Sequence, residues 1–343
     1  MKIGSLDTKK KVVLVAELSA NHKQDLRLAK ETIEAAKEAG ADAVKLQTYT
    51  PDTITLDCKK EDFFINRGTL WDGEYLYDLY KKAYTPWEWH EELFSLCKKL
   101  NLECFSAPFD KSAVDLLEKL NTPAFKIASF EITDIPLINY CASKKKPIII
   151  STGIADLCDI DLAVNEVRKF HNDIMLLKCT SSYPAPLREV NLLNIPTLKE
   201  TFGVEVGLSD HTLGISIPIA SVALGARLIE KHFILDKSIK TPDSEFSIDK
   251  NEFASMAKAI REVEEALGEK KYTVTEKMKI NKEGARSLYV VKDIKKGETF
   301  TLENIRSVRP GFGLHPKFLP EIIGKKACRD LKKGDRLRWE DVN

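Results

Sequence analysis

GVEVGLSDHTLG at residues 203–214, ARLIEKHF at 226–233 and TPDSEFS at 241–247 decide how this chain is read. Two β-rich runs, Val204 to Ser209 and Arg227 to Glu230, are each closed by a histidine, His211 and His232. Apolar alternation ending in polar residues is how a parallel barrel strand delivers a side chain to the rim where such folds do chemistry. Two successive strands of this kind bring two imidazoles to one mouth. With carboxylates nearby at Asp210, Glu230 and Asp243, that mouth can hold a divalent cation. A lone histidine is more simply explained by a local hydrogen bond, so the weight rests on the pattern recurring elsewhere in the chain.

It recurs upstream. Val12 to Ala16 is a short apolar run that ends at Glu17, and residues 26–39 follow as an amphipathic helix stopped by Gly40. Ala41 to Thr48 reads as a strand that places Lys45 and Gln47 on one face, because strand side chains alternate. Runs at 102–106, 124–129, 147–152 and 174–180 bring the strands to eight, each followed by a helical pattern. Eight such units close a (β/α)8 TIM barrel. An open doubly wound sheet is disfavoured, since no G-x-G-x-x-G turn follows any strand. Residues 49–84 interrupt the alternation with an aromatic-rich insertion, either a local mini-core over the barrel or a substrate lid. After it, Thr85 as N-cap, Pro86 and Glu88 predict a capping box opening the next helix.

Downstream, residues 249–267 form the last long helix, with Gly268 as its stop, and a lysine-rich linker follows over 269–284. The chain then repeats itself: DIKKGETFTLENI from Asp293 resembles DLKKGDRLRWEDV from Asp330. The expected organisation is a barrel over 1–268 and a small β-rich domain over 285–343 with internal two-fold character. Between the copies, the glycine- and proline-rich loop at 307–317 presents Arg309 as a residue suited to a carboxylate or phosphate.

Composition narrows the function classes. Lys and Arg total 53 against 52 for Asp and Glu, so no net field recruits nucleic acid or an anionic membrane surface. Seven scattered cysteines with no C-x-x-C pair argue against a disulfide frame or structural zinc and for a reducing, cytoplasmic setting. No segment has the length of a membrane span. The strand ends then carry the chemistry: Glu17, Lys45 with Gln47, Ser106, Lys126 with Ser129, Ser151 with Thr152, Lys178 with Thr180, Ser209 with His211, and Glu230 with His232. Buried lysines are expensive unless paired, and several at one mouth point to an anionic ligand. Residue types alone leave open a metal-assisted reaction of a phosphorylated small molecule, a Schiff-base lysine aldolase, and a non-catalytic sugar-binding barrel.

AELSANH (16–22), AVKLQT (43–48), FKIASFE (125–131), IISTG (149–153), KCTSSYP (178–184), VGLSDHT (206–212) and IEKHF (229–233), in this order, resemble the sialic acid synthase family. SVRPGFGLHP (307–316) resembles the family's C-terminal antifreeze-like (SAF, β-clip) domain. The resemblance implies condensation of phosphoenolpyruvate with an open-chain amino-sugar aldehyde, releasing phosphate. It implies phosphoenolpyruvate on Lys45, Lys126, Ser129, Ser151 and Ser209, and a divalent metal on His211 and His232, manganese before magnesium or cobalt. Glu17 matches the carboxylate that manages water addition and Asp243 an acid near the sugar. Asn21, Gln47, Glu131, Thr180, Ser181 and Tyr183 fall at substrate-binding positions of the same motifs. Arg309 matches an arginine extended into a partner's barrel, implying a domain-swapped homodimer. WDG at Trp71, TPWEWH at Thr85, PDSEFS at Pro242 and GFGLHPK at Gly311 are most similar to the pseudaminic acid branch, which implies 2,4-diacetamido-2,4,6-trideoxy-altrose as the sugar. Two positions depart from the wider family: Ala107 replaces a hydroxyl beside the phosphate, and Ser181 an asparagine of the N-acetylneuraminate enzymes.

Overall fold

A computed structural model describes residues 1–343. Eight parallel strands close into a barrel: β1 (Val13–Glu17), β2 (Ala43–Thr48), β3 (Glu103–Pro108), β4 (Phe125–Ile127), β5 (Ile148–Ser151), β6 (Ile174–Cys179), β7 (Glu205–Asp210) and β8 (Leu228–His232), with β8 returning to β1. The strands are buried on both faces, as a parallel sheet wrapped by helices requires. Inward residues such as Val13, Val15, Phe105, Ile149, Met175, Leu177 and Leu228 fill the barrel, while Leu14, Val44, Leu46, Ile150, Leu176 and Ile229 pack outward against the helices. The register sets Glu17 of β1 between His232 of β8 and Lys45 of β2, so three polar ends share one row of the rim.

Local signals explain the helix ends. Asp25 caps Leu26–Glu38 by accepting from the amides of Arg27 and Leu28. Asp249 and Glu252 form a capping box for Lys250–Leu267, which ends at Gly268. The capping box expected at Thr85 is not formed. A 3-10 turn, Trp87–Trp89, precedes helix His90–Lys99, and the buried Thr85 hydroxyl lies 3.1 Å from His22 Nε2 instead. A hydroxyl buried in the layer between barrel and helices takes the partner that satisfies it. The insertion carries the helices Pro51–Ile54 and Leu76–Ala83. A hairpin of Lys2–Ile3 and Leu6–Asp7, too short to register as periodicity, packs Met1 and Ile3 against the barrel's inner core.

The chain divides into two compact units, Met1–Gly268 and Glu269–Asn343. In the second, the stretch expected as a linker holds a helix, Glu276–Lys282, with Thr275 as its cap. β9 (Ser287–Val290) and β10 (Ile305–Val308) pair antiparallel beside a core of Leu288, Val290, Ile294, Phe300, Leu331 and Leu337. The two sequence copies clasp each other. Asp293 accepts from Lys332 Nζ (2.8 Å) and the Lys333 amide (2.9 Å), and Asp330 accepts from Lys295 Nζ (2.8 Å) and the Lys296 amide (2.9 Å). Gly297 and Gly334 close the two lysine turns at φ +83° and +97°. No helix is long and apolar enough to cross a membrane.

Candidate active site

Alternation decides which polar residues enter the mouth. The inward row of β2 ends in Lys45 and Gln47, of β4 in Lys126, of β7 in Ser209, and of β8 in Glu230 and His232. These side chains meet. Glu230 Oε1 receives Lys126 Nζ at 3.1 Å and the Ser209 hydroxyl at 3.0 Å, with Lys45 Nζ 3.3 Å away. Lys45 Nζ also lies 3.0 Å from Glu17 Oε2, and Gln47 Nε2 donates to Glu17 Oε1 (3.1 Å) and Ser19 Oγ (2.8 Å). Ser19 donates in turn to Asp243 Oδ2, whose carboxylate stands 3.7 Å from His232 Nδ1. One chain of ion pairs and hydrogen bonds thus runs from Lys126 to Asp243, which stands beside His232.

The charges on that chain are unequal. Burial works against ionisation of Glu230, but Lys126 and Lys45 outweigh it and hold its pKa well below the carboxylate range. Burial also opposes the Lys45 charge, and Glu17 and Glu230 together overcome it and raise its pKa. Glu17 goes the other way: desolvation dominates the pull of Lys45 and lifts it to about 7. Near neutral pH the cluster therefore has two lysines facing one firmly ionised carboxylate and one that titrates. Burial pulls the Lys126 pKa down against the attraction of Glu230, and two lysine amines and a serine hydroxyl gathered on one oxygen in a buried site suit a compact anion.

The imidazoles converge as well, with ring centroids 5.3 Å apart. His211 Nδ1 lies 3.0 Å from the Thr180 carbonyl, which can only accept, so that nitrogen carries a proton. Burial opposes the ring's charge, but Cys179 and the Thr180 carbonyl outweigh it and raise its pKa, so a metal at Nε2 would have to displace a proton. His232 is buried, its Nδ1 lacks a hydrogen-bond partner, and burial followed by His211 depresses its pKa, so it is neutral. Two converging imidazoles, one of them neutral with an orphaned nitrogen, fit a divalent ion of intermediate softness. No three His, Cys, Asp or Glu side chains form a ready cage, so such an ion would complete its coordination with water or substrate oxygen, as open catalytic sites do.

Other expected residues divide by location. Ser151 is buried with an unpartnered hydroxyl, and Ser129 accepts from the Gly153 amide at 3.1 Å. Glu131 has an orphaned buried oxygen, and burial, then Asp134, pushes it up to about 7. Tyr183 stacks 4.4 Å from His211, and Ser181 lies 3.9 Å from Cys179 Sγ. Asn21 is fully committed to the fold, bonding the Phe233 carbonyl, Ser247 and Thr241. Thr180 offers its carbonyl to His211, while its hydroxyl turns to Lys178 and the Glu189 carbonyl. Three rim assignments are corrected. Asp210 points outward to Lys231, Ser106 bonds Thr48 behind the barrel wall, and Lys178 occupies the outward parity of β6. Arg309 is exposed on the second unit and makes no ion pair or side-chain hydrogen bond. Sequence reading missed Ser19, Cys179 and Phe246. Cys179 shares inward parity with Met175 and Leu177 and approaches His211 Nδ1 at 3.8 Å, a parity that the strand pattern does contain. Gly153 permits this crowding: a Cβ there would lie 2.7 Å from Ser129 Oγ and 2.9 Å from Cys179 Sγ.

The NeuB family model matches residues 32–272, and the SAF domain model matches residues 285–343. The chain belongs to the NeuB family. Among its relatives, this NeuB-family chain is 52% identical over 342 residues to the pseudaminic acid synthase of Campylobacter jejuni subsp. jejuni serotype O:2, covering 99% of each chain. It is 54% identical over 331 residues to the pseudaminic acid synthase of Helicobacter pylori, covering 96% of this chain and 97% of that one. A crystal structure of N-acetylneuraminic acid (sialic acid) synthetase from Leptospira borgpetersenii serovar Hardjo-bovis, in complex with citrate, superposes with a TM-score of 0.72 at 30% identity, covering 82% of this chain and 94% of that chain.

Proposed function

We propose that this NeuB-family chain condenses phosphoenolpyruvate with the open-chain aldehyde of 2,4-diacetamido-2,4,6-trideoxy-altrose, giving pseudaminic acid and inorganic phosphate. The observation that carries the reaction class is the junction of Lys45, Lys126 and Ser209 on one oxygen of Glu230, beside a pair of convergent imidazoles. The near full-length identity to two pseudaminic acid synthases supports the choice of sugar.

The phosphoenolpyruvate anion competes with Glu230 Oε1 for the donors already gathered there, and the hydroxyls of Ser129 and Ser151 extend the same wall. C3 of the enol attacks the aldehyde carbon and forms the new C–C bond, while the aldehyde oxygen becomes a hydroxyl. Water adds at C2, and the C2–O bond to phosphate breaks, leaving an α-keto acid. Glu17, with its pKa near 7 and its contacts to Lys45 and Gln47, is placed to accept the proton of that water. His211 and His232 would hold a divalent metal, manganese foremost, which when bound supplies Lewis-acid polarisation of the aldehyde oxygen. Asp243, steadied by Ser19, faces the sugar beside His232. Arg309 acts in the barrel of a second copy, within a domain-swapped homodimer.

The test is phosphate release by purified full-length protein supplied with a divalent metal. Release requires both phosphoenolpyruvate and the altrose derivative. Turnover of N-acetylmannosamine in its place would move the protein to a neuraminate or legionaminate activity, and a borohydride-trapped imine would make it a lysine aldolase.

A further inference from the structure

An aromatic wall leads away from the two imidazoles. Phe246 lies 4.8 Å from His232, Tyr183 lies 5.0 Å from Phe246 and 4.4 Å from His211, and Trp71 lies 5.4 Å from Tyr183, all between ring centroids. Trp71 comes from the insertion, not from a barrel strand. Its indole Nε1 donates to the Pro242 carbonyl at 3.0 Å, next to Asp243. The turn that presents it is rigidly built. Asp72 accepts from the amides of Arg67 (3.2 Å), Gly68 (2.8 Å) and Thr69 (2.9 Å) and from the Thr69 hydroxyl (2.7 Å). Gly68 and Gly73 turn the chain at φ +76° and +95°. In the tripeptide Trp71-Asp72-Gly73, then, the acid and the glycine set the position of the indole.

We propose that Trp71 is a specificity-determining residue that receives the methyl end of a 6-deoxy sugar. This rests on the sugar substrate proposed above. A six-carbon open chain with bonds of about 1.5 Å spans roughly 6 Å. With its aldehyde at the imidazoles, its far end reaches the Tyr183–Trp71 edge of the wall. The indole's one polar atom is already engaged by Pro242, so the ring offers apolar surface and no hydrogen bond. A methyl group gains by burial there. A hydroxyl at the same carbon would lose water without gaining a partner.

Steady-state kinetics of wild type, Trp71→Ala, Trp71→Phe and Asp72→Ala, with the 6-deoxy sugar and its 6-hydroxy counterpart, test this. Wild type should prefer the 6-deoxy sugar by about 10- to 100-fold in kcat/KM. Trp71→Ala should raise KM for the sugar by about tenfold, reduce the preference to a few-fold, and leave KM for phosphoenolpyruvate unchanged. Trp71→Phe should restore most of the preference, and Asp72→Ala should lose it while keeping the indole. An unchanged preference in Trp71→Ala, or parallel rises in both KM values, would overturn the assignment. Wild type that turns over both sugars equally overturns the Trp71 role alone, whereas wild type inactive on both removes the functional reading and this inference with it.

Discussion

Glu230 and Lys231 are neighbours on β8, yet they belong to two ionic clusters of opposite kind. Lys231 faces outward and is fully buried. It pairs with Asp210 at 2.5 Å and donates to the Thr212 carbonyl, while Asp210 also accepts from the Thr212 amide (3.1 Å) and hydroxyl (3.0 Å). That cluster has one cation and one anion, with no buried polar atom left over. The inward cluster crowds Lys45, Lys126 and Ser209 onto Glu230 Oε1 and leaves Oε2 without a partner. Equal burial therefore does not mark a functional charge. Imbalance and an unused polar atom do, because a closed pair has nothing to offer a ligand.

Lys126→Met tests the open side and should have the largest effect. Kinetics on phosphoenolpyruvate should show kcat/KM falling about 10³-fold, equivalent to ~4 kcal/mol, with urea unfolding little changed. On the closed side, Lys231→Met leaves Asp210 buried without its cation. Stability by urea denaturation should fall by about 3 kcal/mol, while kcat/KM per folded molecule stays at the wild-type value. A Lys231→Met protein that folds normally but has lost activity would erase the distinction.

The smallest effect per residue concerns neutral groups of the same outer layer. Burial, with the charge of His90 second, pushes His22 down to about 4, and burial pushes His90 down to about 4. Both folded pKa values lie below the ordinary 6.5, so the unfolded chain binds more protons between those limits. The stability they contribute is complete above pH 6.5 and is lost as pH falls toward 4. By pH 5 the loss should be about 2 kcal/mol for each histidine, measured as unfolding free energy against pH 7.5. His90→Gln should remove about half of that dependence.

The eight strands were legible because each is a short apolar run with a polar end, and that alone closes a barrel. The facing of each strand was harder to read. Strands buried on both sides lack the apolar–polar alternation that shows which side is which. Lys178, Ser106 and Asp210 therefore looked like rim residues until Leu177 and Met175 fixed the inward parity of β6, and Lys231 captured Asp210. The lysine cluster was legible as an anion site, but its internal acceptor was not. Glu230 read as a carboxylate near a metal, whereas contacts across β2, β4, β7 and β8 make it the hub of the lysines. Such contacts depend on distances between strands far apart in sequence, as does the reach of Trp71 from the insertion to Pro242.

The crossed aspartates of the C-terminal repeat have a consequence for how that unit comes apart. Asp293 fastens the lysine turn of the second copy, and Asp330 that of the first. Each turn is also closed from within its own copy, by Glu298 on the Lys295 amide and Asp335 on the Lys332 amide, so the crossed aspartates add a second fastening from the other copy. Fraying at one end of residues 285–343 thus loosens the other, and a half expressed alone would keep its turn but leave the next amide and its lysine without an acceptor.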